Sequence, residues 1–218
     1  MTAEPNCAML FAAGLGTRMA PLSKDRPKPL VPVAGKTLLD HALQVVSAAD
    51  VETTLVNTHF KSEMICDHLK DENVLTRFEP ELLDTGGGLK AALPQLGNPV
   101  FTLNTDAVWV GANPLKILRQ SDAPPNGALL LLVPSDDGDF SMDQSGRLTR
   151  GGPWKYTGAQ IICTDFVASH PKSKFSLNEI WDQMMAVGLL KGVPYPGKWC
   201  EVGTPDAIKS AERMLGYA

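Results

Sequence analysis

An apolar run that ends in a glycine-rich turn constrains this chain more than any other feature of its sequence. Residues 7–12 are CAMLFA, and their length and composition are typical of a buried strand. Gly14 and Gly16 follow, and because they lack a Cβ they let backbone N–H groups approach a phosphate closely. The sequence therefore predicts a strand that opens into a phosphate-binding turn.

Two cations accompany this turn. Arg18 has a planar guanidinium whose donors match phosphate oxygens, and Lys28 carries a compact ammonium between two prolines, Pro27 and Pro29, that stiffen the loop. Together these groups indicate a site for a nucleoside triphosphate. The alternative is an ordinary turn between a strand and a helix, with two solvated cations.

Two known glycine motifs are absent from the chain. The dinucleotide fingerprint G-x-G-x-x-G needs a third glycine where Met19 stands, and the Walker pattern G-x-x-x-x-G-K-[ST] does not occur. The sequence therefore predicts neither a dinucleotide site of that type nor a P-loop.

Apolar periodicity alternates along the first part of the chain. Helical spacing at residues 37–49 and 61–70 alternates with β-rich segments at residues 52–57 and 74–79, which predicts βαβ units. We expect an α/β fold in which a mostly parallel, Rossmann-like sheet is flanked by helices. The 218 residues suffice for one domain with a sizeable core, so residues 1–218 are predicted to form a single domain.

The carboxyl ends of parallel strands meet at one edge of a sheet, and ligands bind beyond that edge. This rule groups the Gly14 turn, residues 80–88 and the residues after Leu103 into one predicted site.

Composition limits the kind of partner and compartment. The net charge of −4 argues against nucleic acid as the main partner, so small molecules are expected. Residues 1–6 lack the pattern of a signal peptide, and the longest apolar stretch, residues 128–134, is too short to span a membrane. The four cysteines contain no C-x-x-C pair, which favours reduced thiols in a cytoplasmic protein.

A second glycine-rich stretch lies at residues 79–90. Gly86, Gly87 and Gly88 open a predicted helix at residues 89–93, and exposed backbone groups in such a turn suit the edge of a planar base. The alternative is a flexible loop with a glycine helix start.

A third stretch places polar side chains after an apolar strand at residues 99–103. Asn104, Thr105 and Asp106 follow that strand, and a carboxylate beside a triphosphate is well placed to hold Mg²⁺. An aspartate that caps a turn is the alternative.

The remaining segments carry mostly structural signals. Helices are predicted at residues 113–120, 175–187 and 205–215, with Asn113, Ser176 and Thr204 as N-caps, and Glu179 completes a capping box with Ser176. Strands are predicted at residues 127–133 and 159–163. Between these strands, turn signals at residues 136–138 and 144–146 predict an edge hairpin.

The glycine turn and the loop after it resemble the signature of the sugar-1-phosphate nucleotidyltransferases. The matching segments are residues 12–19, AAGLGTRM, then Pro21-Leu22-Ser23, and residues 27–33, PKPLVPV, with Ser23 where threonine is usual. The segment from Leu83 to Gly88 resembles the branch that contains bacterial N-acetylmuramate 1-phosphate uridylyltransferases, with Asp84 where that branch has glutamate.

This resemblance implies roles for individual residues. Arg18, Lys28 and Asp106 correspond to catalytic positions. The nucleotide would contact Ala12, Ala13, Gly14, Gly16, Thr17, Arg18, Asp84, Gly86 and Gly87. The sugar would contact Asn104, Tyr156, Gly158 and Glu179, although packing also explains Tyr156 and the capping box explains Glu179.

The resemblance also implies Mg²⁺ as the cofactor, held by Asp106 and Glu201. Glu201 stands where the family pattern W-x-D-V-G-T has aspartate, and Thr105 stands where glycine is usual. A glutamate reaches one methylene further than an aspartate, and a β-branched residue resists a positive φ.

The implied reaction transfers a nucleotidyl group from a nucleoside triphosphate, with UTP expected, to a sugar 1-phosphate, with N-acetylmuramate 1-phosphate expected. Such an activity would belong to peptidoglycan recycling. One alternative is a mannose 1-phosphate guanylyltransferase or a related enzyme. Another is a non-catalytic protein that binds nucleotide sugars, which Thr105 and Glu201 would favour. The oligomeric state stays open.

Overall fold

The computed structural model describes residues 4–217. The expectation about a signal peptide at residues 1–6 therefore falls partly outside the described residues. The eleven strands of the described chain are β1 Cys7–Phe11, β2 Pro32–Val33, β3 Lys36–Thr37, β4 Thr53–Thr58, β5 Leu75–Phe78, β6 Val100–Asn104, β7 Ala107–Val110, β8 Ala128–Met142, β9 Leu148–Ile162, β10 Leu190–Pro194 and β11 Lys198–Glu201. Its seven α-helices are α1 Leu38–Ser47, α2 Ser62–Leu69, α3 Asp84–Ala92, α4 Pro114–Gln120, α5 Asp165–Ser169, α6 Leu177–Ala186 and α7 Pro205–Met214.

Seven strands form one central sheet in the order β10-β8-β9-β6-β1-β4-β5. Strand β1 lies parallel to both β4 and β6, β4 lies parallel to β5, and β10 lies parallel to β8, whereas β9 runs antiparallel to β6 and β8. The predicted Rossmann-like, mostly parallel sheet is confirmed, with one antiparallel strand in its middle.

Helices cover both faces of this sheet. Successive residues of β1 point to opposite faces, so Ala8 and Leu10 pack with α1, α2 and α4, while Met9 packs with α3, α5 and α6. Both faces are therefore buried, which explains why β1 is apolar at every position.

A second, two-stranded sheet lies beside the first. Strand β11 runs antiparallel to β7, with Glu201 opposite Ala107, and Val202 N–H donates a 2.7 Å hydrogen bond to Asp106 O. Neither strand was predicted from the sequence. Their pairing brings a late part of the chain against the end of β6.

The hairpin of β8 and β9 is longer than the sequence indicates. The turn at residues 144–146 is confirmed, and Gly146 there has φ +81°. The predicted turn at residues 136–138 is wrong, because β8 continues through it and the register shifts between Pro134 and Gly138 instead. The hairpin was predicted at an edge of the sheet. At its base, however, β8 pairs with β10 and β9 pairs with β6, so that part lies inside the sheet.

Two predicted caps differ in the structure. Ser176 caps α6 by accepting a hydrogen bond from Asn178 N–H, but Glu179 turns to Lys172 instead of closing a capping box. The Thr204 side chain makes no capping hydrogen bond to α7, although Pro205 does occupy the first helical position. Asn113 caps α4 as predicted, by accepting from Leu115 and Lys116 N–H.

No helix within residues 4–217 combines the length and the apolar character that crossing a bilayer requires.

Candidate active site

A cleft of about 530 Å³ opens at the edge where β1, β4 and β6 end. The glycine turn after β1 lines one side, and the residues after β6 line the other. Of the residues predicted to bind nucleotide or take part in catalysis, the cleft is lined by Ala12, Ala13, Gly14, Gly16, Thr17, Arg18, Lys28, Asp84 and Asp106. Segments that are far apart in sequence thus meet at one edge of the sheet.

The backbone of the glycine turn lies very close to Lys28. Gly16 has φ +63°, and a Cβ there would stand 2.7 Å from Lys28 Cβ, so a larger residue is excluded both by conformation and by space. The Ser23 hydroxyl donates to Gly16 O at 2.7 Å and fixes the turn from the other side. Gly14, in contrast, faces open space on its Cβ side.

Lys28 and Asp106 form an ion pair inside the cleft. Lys28 Nζ lies 2.9 Å from Asp106 Oδ2, and their side chains are 13% and 24% exposed. A partly desolvated pair of this kind holds a positive charge at a fixed place.

Arg18 and Glu201 form a second, looser pair. Arg18 Nη2 lies 3.6 Å from Glu201 Oε1, and 72% of the Arg18 side chain is exposed. Gly203 packs against both, because a Cβ there would stand 3.3 Å from Glu201 Oε1. Arg18 therefore contacts Glu201 at its tip, while most of its side chain is exposed to solvent.

The pairing of β7 with β11 brings Glu201, the last residue of β11, close to Asp106, which directly precedes β7, and Val202 N–H donates a hydrogen bond to Asp106 O. Their carboxylate oxygens are the ligands that Mg²⁺ prefers, and each carboxylate already faces a cation in the structure. Within residues 4–217 no cluster of three or more Asp, Glu, His or Cys side chains has the geometry of a metal site. A metal held by these two carboxylates stays a prediction, and such an ion would take its remaining ligands from substrate phosphates and water.

Thr105 has a structural role that the sequence did not indicate. Its φ is not positive, so its β-branched side chain meets no strain there, and its hydroxyl donates to Phe11 O at 2.7 Å. Thr105 is 2% exposed and ties the end of β6 to the end of β1. The departure from glycine thus strengthens the edge that carries Asp106.

The helix that contains the triglycine, Gly86 to Gly88, begins earlier than the sequence predicts. Helix α3 starts at Asp84, and Gly86 and Gly87 are buried in it against residues 173–175. A Cβ on Gly86 would meet the Phe175 ring, and one on Gly87 would meet Ser173 O. Gly87 N–H already donates to Phe175 O at 3.0 Å, and neither glycine lines the cleft. Their contact with a base stays a prediction.

A buried polar network under the cleft was missed by sequence reasoning. Asn57 accepts from Ala12 N–H at 2.8 Å and donates to Glu79 Oε1 at 2.7 Å, and Glu79 Oε2 accepts from Leu83 N–H. Asn57 and Glu79 are 3% and 2% exposed. The network joins the glycine turn to the start of α3. The sequence did contain a signal for it, a polar residue at the end of each of two predicted strands.

Lys174 also lines the cleft and was missed. It is brought there by the close packing of residues 173–175 on the triglycine, a contact that no local pattern encodes.

The predicted sugar residues divide between two places. Asn104 and Tyr156 line a second pocket of about 350 Å³ that adjoins the cleft, and Gly158, at φ +88°, packs on Asn104 from behind. Burial raises the pKa of the Tyr156 hydroxyl far above its usual range, and its ring contacts Trp181 edge to face at 4.9 Å between centroids. Glu179 lines neither pocket and pairs with Lys172 at 2.7 Å.

Comparisons with known proteins agree with this geometry. Residues 7–138 match the model of the nucleotidyl transferase family. The chain is 37% identical to the N-acetylmuramate alpha-1-phosphate uridylyltransferase of Caulobacter vibrioides, with 100% of both chains covered. It is 30% identical to the protein of the same name from Neisseria meningitidis serogroup B, with 96% of this chain and 98% of that protein covered.

A solved structure has the same fold. HddC from Yersinia pseudotuberculosis superposes with a TM-score of 0.81 over 96% of this chain and 99% of its own, at 23% identity. The resemblance to sugar-1-phosphate nucleotidyltransferases is therefore confirmed, and the chain belongs to the nucleotidyl transferase family.

Proposed function

We propose that the protein transfers the uridylyl group of UTP to N-acetylmuramate 1-phosphate, which releases pyrophosphate. The observation that carries this proposal is the convergence of two cation–carboxylate pairs, Lys28 with Asp106 and Arg18 with Glu201, beside the glycine turn. The choice of substrates is supported by two relatives of 37% and 30% identity that carry that activity in their names.

The reaction needs no general base. An oxygen of the sugar phosphate, already ionised, attacks the α-phosphorus of the triphosphate, and the bond to the pyrophosphate oxygen breaks. The protein then contributes alignment and neutralisation of charge.

Lys28 would bridge the two reacting phosphates. Its ammonium is held by Asp106, and the base of its side chain lies against Gly16, so the ammonium would meet the α-phosphate and the incoming sugar phosphate with little reorganisation. Arg18, exposed along most of its side chain, would follow the β- and γ-phosphates as they leave. Backbone groups of Gly14 and Gly16, with Ala12, Ala13 and Thr17, would line the phosphates.

Asp106 and Glu201 would hold Mg²⁺. When bound, such an ion neutralises charge on the α-phosphate and orients both reactants. Lys28 and Arg18 balance the two carboxylates in the structure, and substrate phosphates would take over part of those contacts.

Substrate contacts lie on either side of this centre. The base would meet Asp84 and the first turn of α3 with Gly86 and Gly87, and the sugar would meet Asn104, Tyr156 and Gly158, with Glu179 beyond them. A cytoplasmic enzyme of this kind would serve the recycling of peptidoglycan sugars.

The test is pyrophosphate release by the purified protein with Mg²⁺, across UTP, GTP, CTP, ATP and dTTP. Each nucleotide is paired with the 1-phosphates of N-acetylmuramate, N-acetylglucosamine, glucose and mannose. We expect release with UTP and N-acetylmuramate 1-phosphate at the highest kcat/KM.

Another preferred pair, such as GTP with mannose 1-phosphate, would overturn the substrate assignment and leave nucleotidyl transfer standing. Binding of a nucleotide sugar without release from any pair would overturn the enzymatic assignment.

A further inference from the structure

The second pocket continues the reaction cleft. The two share four lining residues, Phe11, Asp84, Thr85 and Asn104, so a substrate whose phosphate lay beside Asp106 would extend past Asn104 into the pocket. Aromatic rings of Phe140, Tyr156 and Trp181 form part of its wall, which suits the apolar face of a sugar ring.

Arg150, on β9, is the one cation among the residues that line this pocket in the described chain. Its guanidinium lies 5.0 Å from the centroid of the Phe140 ring and 5.9 Å from that of Trp181. Arg150 Nε donates to Asp182 Oδ1 at 2.8 Å, and Nη2 donates to Asn178 O at 3.2 Å. These contacts fix the plane of the guanidinium.

Arg150 has N–H donors that remain available for a ligand. Within residues 4–217 its Nη1 makes no hydrogen bond, and 38% of its side chain is exposed. The acidic groups of the same pocket are engaged by backbone donors, since Asp139 accepts from Tyr156 N–H and Asp84 accepts from Thr85 N–H. A second anionic group on the sugar would therefore find its partner at Arg150.

N-acetylmuramate has such a group. It differs from N-acetylglucosamine by a lactyl ether on O3, which ends in a carboxylate and projects from the ring away from the phosphate at C1. Guanidinium and carboxylate match in a planar, multiply hydrogen-bonded geometry that an ammonium does not reproduce.

We propose that Arg150 is the residue that selects the acidic sugar, by binding the lactyl carboxylate through its free Nη1 edge. This inference rests on the proposed function and adds to it the recognition of the substrate's second negative charge. Asp182 is a positioning residue in this arrangement, because it holds the opposite edge of the guanidinium.

The experiment compares two sugars that differ only in the lactyl group. Initial rates of pyrophosphate release with UTP and Mg²⁺ are measured with N-acetylmuramate 1-phosphate and with N-acetylglucosamine 1-phosphate. The variants are Arg150→Met, which keeps an unbranched apolar stem and removes the guanidinium, and Arg150→Lys, which keeps the positive charge but not the planar set of donors.

The control is Arg147→Met, an exposed arginine of the same hairpin that lies outside the pocket. It should leave both rates unchanged.

A hydrogen bond to a charged group corresponds to roughly a 10- to 100-fold effect, so Arg150→Met should lower kcat/KM for N-acetylmuramate 1-phosphate by about that factor. It should leave the rate with N-acetylglucosamine 1-phosphate within about threefold, and Arg150→Lys should recover only part of the loss.

Equal losses with both sugars would mean that Arg150 acts only through the fold and would overturn the proposal. So would an unchanged preference in Arg150→Met. A wild-type protein that uses UTP but does not discriminate between the two sugars would overturn the role of Arg150 and leave nucleotidyl transfer intact. Absence of transfer to either sugar would mean that the proposed function itself is wrong.

Discussion

Lys28 shows how much a single residue depends on its neighbours in the cleft. Its ammonium contacts Asp106 at 2.9 Å, and the turn at Gly16 approaches its Cβ so closely that no side chain fits between them. Such fixed charges contribute most where charge develops during the reaction.

Replacement of Lys28 by alanine should lower kcat by about 100-fold or more, because the charge between the two phosphates is lost. Some loss of stability is expected as well, because Asp106, whose side chain is only 24% exposed, is left without its partner, so kcat is compared under conditions where urea unfolding shows both proteins to be folded. The matched control is Lys36→Ala, an exposed lysine on β3, which should retain full activity. Activity of Lys28→Ala within a few-fold of wild type would contradict the role given to Lys28.

Glu201 is the longer of the two carboxylates proposed to hold the metal. Glu201→Gln keeps its size and removes its charge, so the Mg²⁺ concentration for half-maximal activity should rise by about tenfold, as when other supports of a metal site are lost. A titration of initial rates with Mg²⁺ measures this, and Glu63→Gln, an exposed residue of α2, serves as the control. An unchanged Mg²⁺ dependence would show that Glu201 is not a ligand.

At the scale of elements, α3 shows a conflict between local preference and packing. Its three glycines weaken the helix, yet residues 173–175 lie so close that a Cβ on Gly86 or Gly87 has no room. The helix therefore owes its position to close packing, and Lys174 reaches the cleft because of it.

Gly87→Ala should destabilise the protein by about 1–3 kcal/mol, although alanine in a helix interior is ordinarily favoured by about 1 kcal/mol, because overpacking outweighs propensity here. Urea unfolding measures the change. Gly97→Ala is the control: a Cβ there stands 3.5 Å from Cys7 Sγ, an ordinary contact. A stabilising effect of Gly87→Ala would mean that the contact with Ser173 O is not tight.

The start of α1 carries a pH-dependent contact. Thr37 and Asp40 form a reciprocal capping box, and His68 lies 2.7 Å from Asp40 Oδ1. Burial alone would raise the pKa of Asp40, but hydrogen bonds from His68 and Thr37 outweigh it and lower that pKa below its usual range. The ionised carboxylate thus stabilises the folded state at neutral pH, and this contribution is lost as the pH falls through the lowered pKa.

Asp40→Asn should therefore cost about 0.5–1 kcal/mol at pH 7 and less at about pH 2, because the wild-type carboxyl becomes protonated as the pH falls through its lowered pKa. Urea unfolding at both pH values provides the measurement. Asp67→Asn, an exposed residue of α2, should show no such difference between the two pH values. A penalty for Asp40→Asn that persists undiminished at low pH would contradict the assignment to the carboxylate's charge.

At the scale of the whole molecule, what was predictable depended on how far apart the interacting residues lie. The turn at Gly14 and Gly16, the cations after it and the aspartate at the end of β6 follow from local patterns and from the edge rule for parallel sheets. The pairing of β11 with β7 joins residues about 90 positions apart and depends on register, which an isolated short strand does not encode.

The hydrogen-bonded network of Asn57 and Glu79 was not predicted for the same reason, because it joins segments that are distant in sequence. Asn57 is the penultimate residue of β4 and Glu79 directly follows β5, and both strands were predicted, but the meeting of the two side chains depends on the parallel register of β4 and β5 and on the approach of α3. Thr105 was misjudged for a related reason, because its hydroxyl finds a partner on β1, a neighbouring strand.

Two large clusters of buried apolar side chains lie on the two faces of the central sheet. A third cluster, which includes Met19, Val202 and Ala211, connects the segment after β1 to α7. We therefore propose that the chain is one cooperative domain. Urea unfolding should show a single transition, with coincident midpoints by tryptophan fluorescence and far-UV circular dichroism. Separate midpoints would indicate that the β7–β11 sheet with α7 unfolds independently.

The order in which strands occur along the chain has a consequence for synthesis on the ribosome. The central sheet receives its last strand at Leu190–Pro194, before Lys198–Glu201 delivers the second carboxylate. A nascent chain halted between these two strands contains every strand of the sheet and the glycine turn but lacks Glu201. A prematurely terminated product of that length would lack the acidic pair and also Val202 and Ala211, which pack with Met19 after the glycine turn, so both the metal site and the support of that turn depend on the last part of the chain.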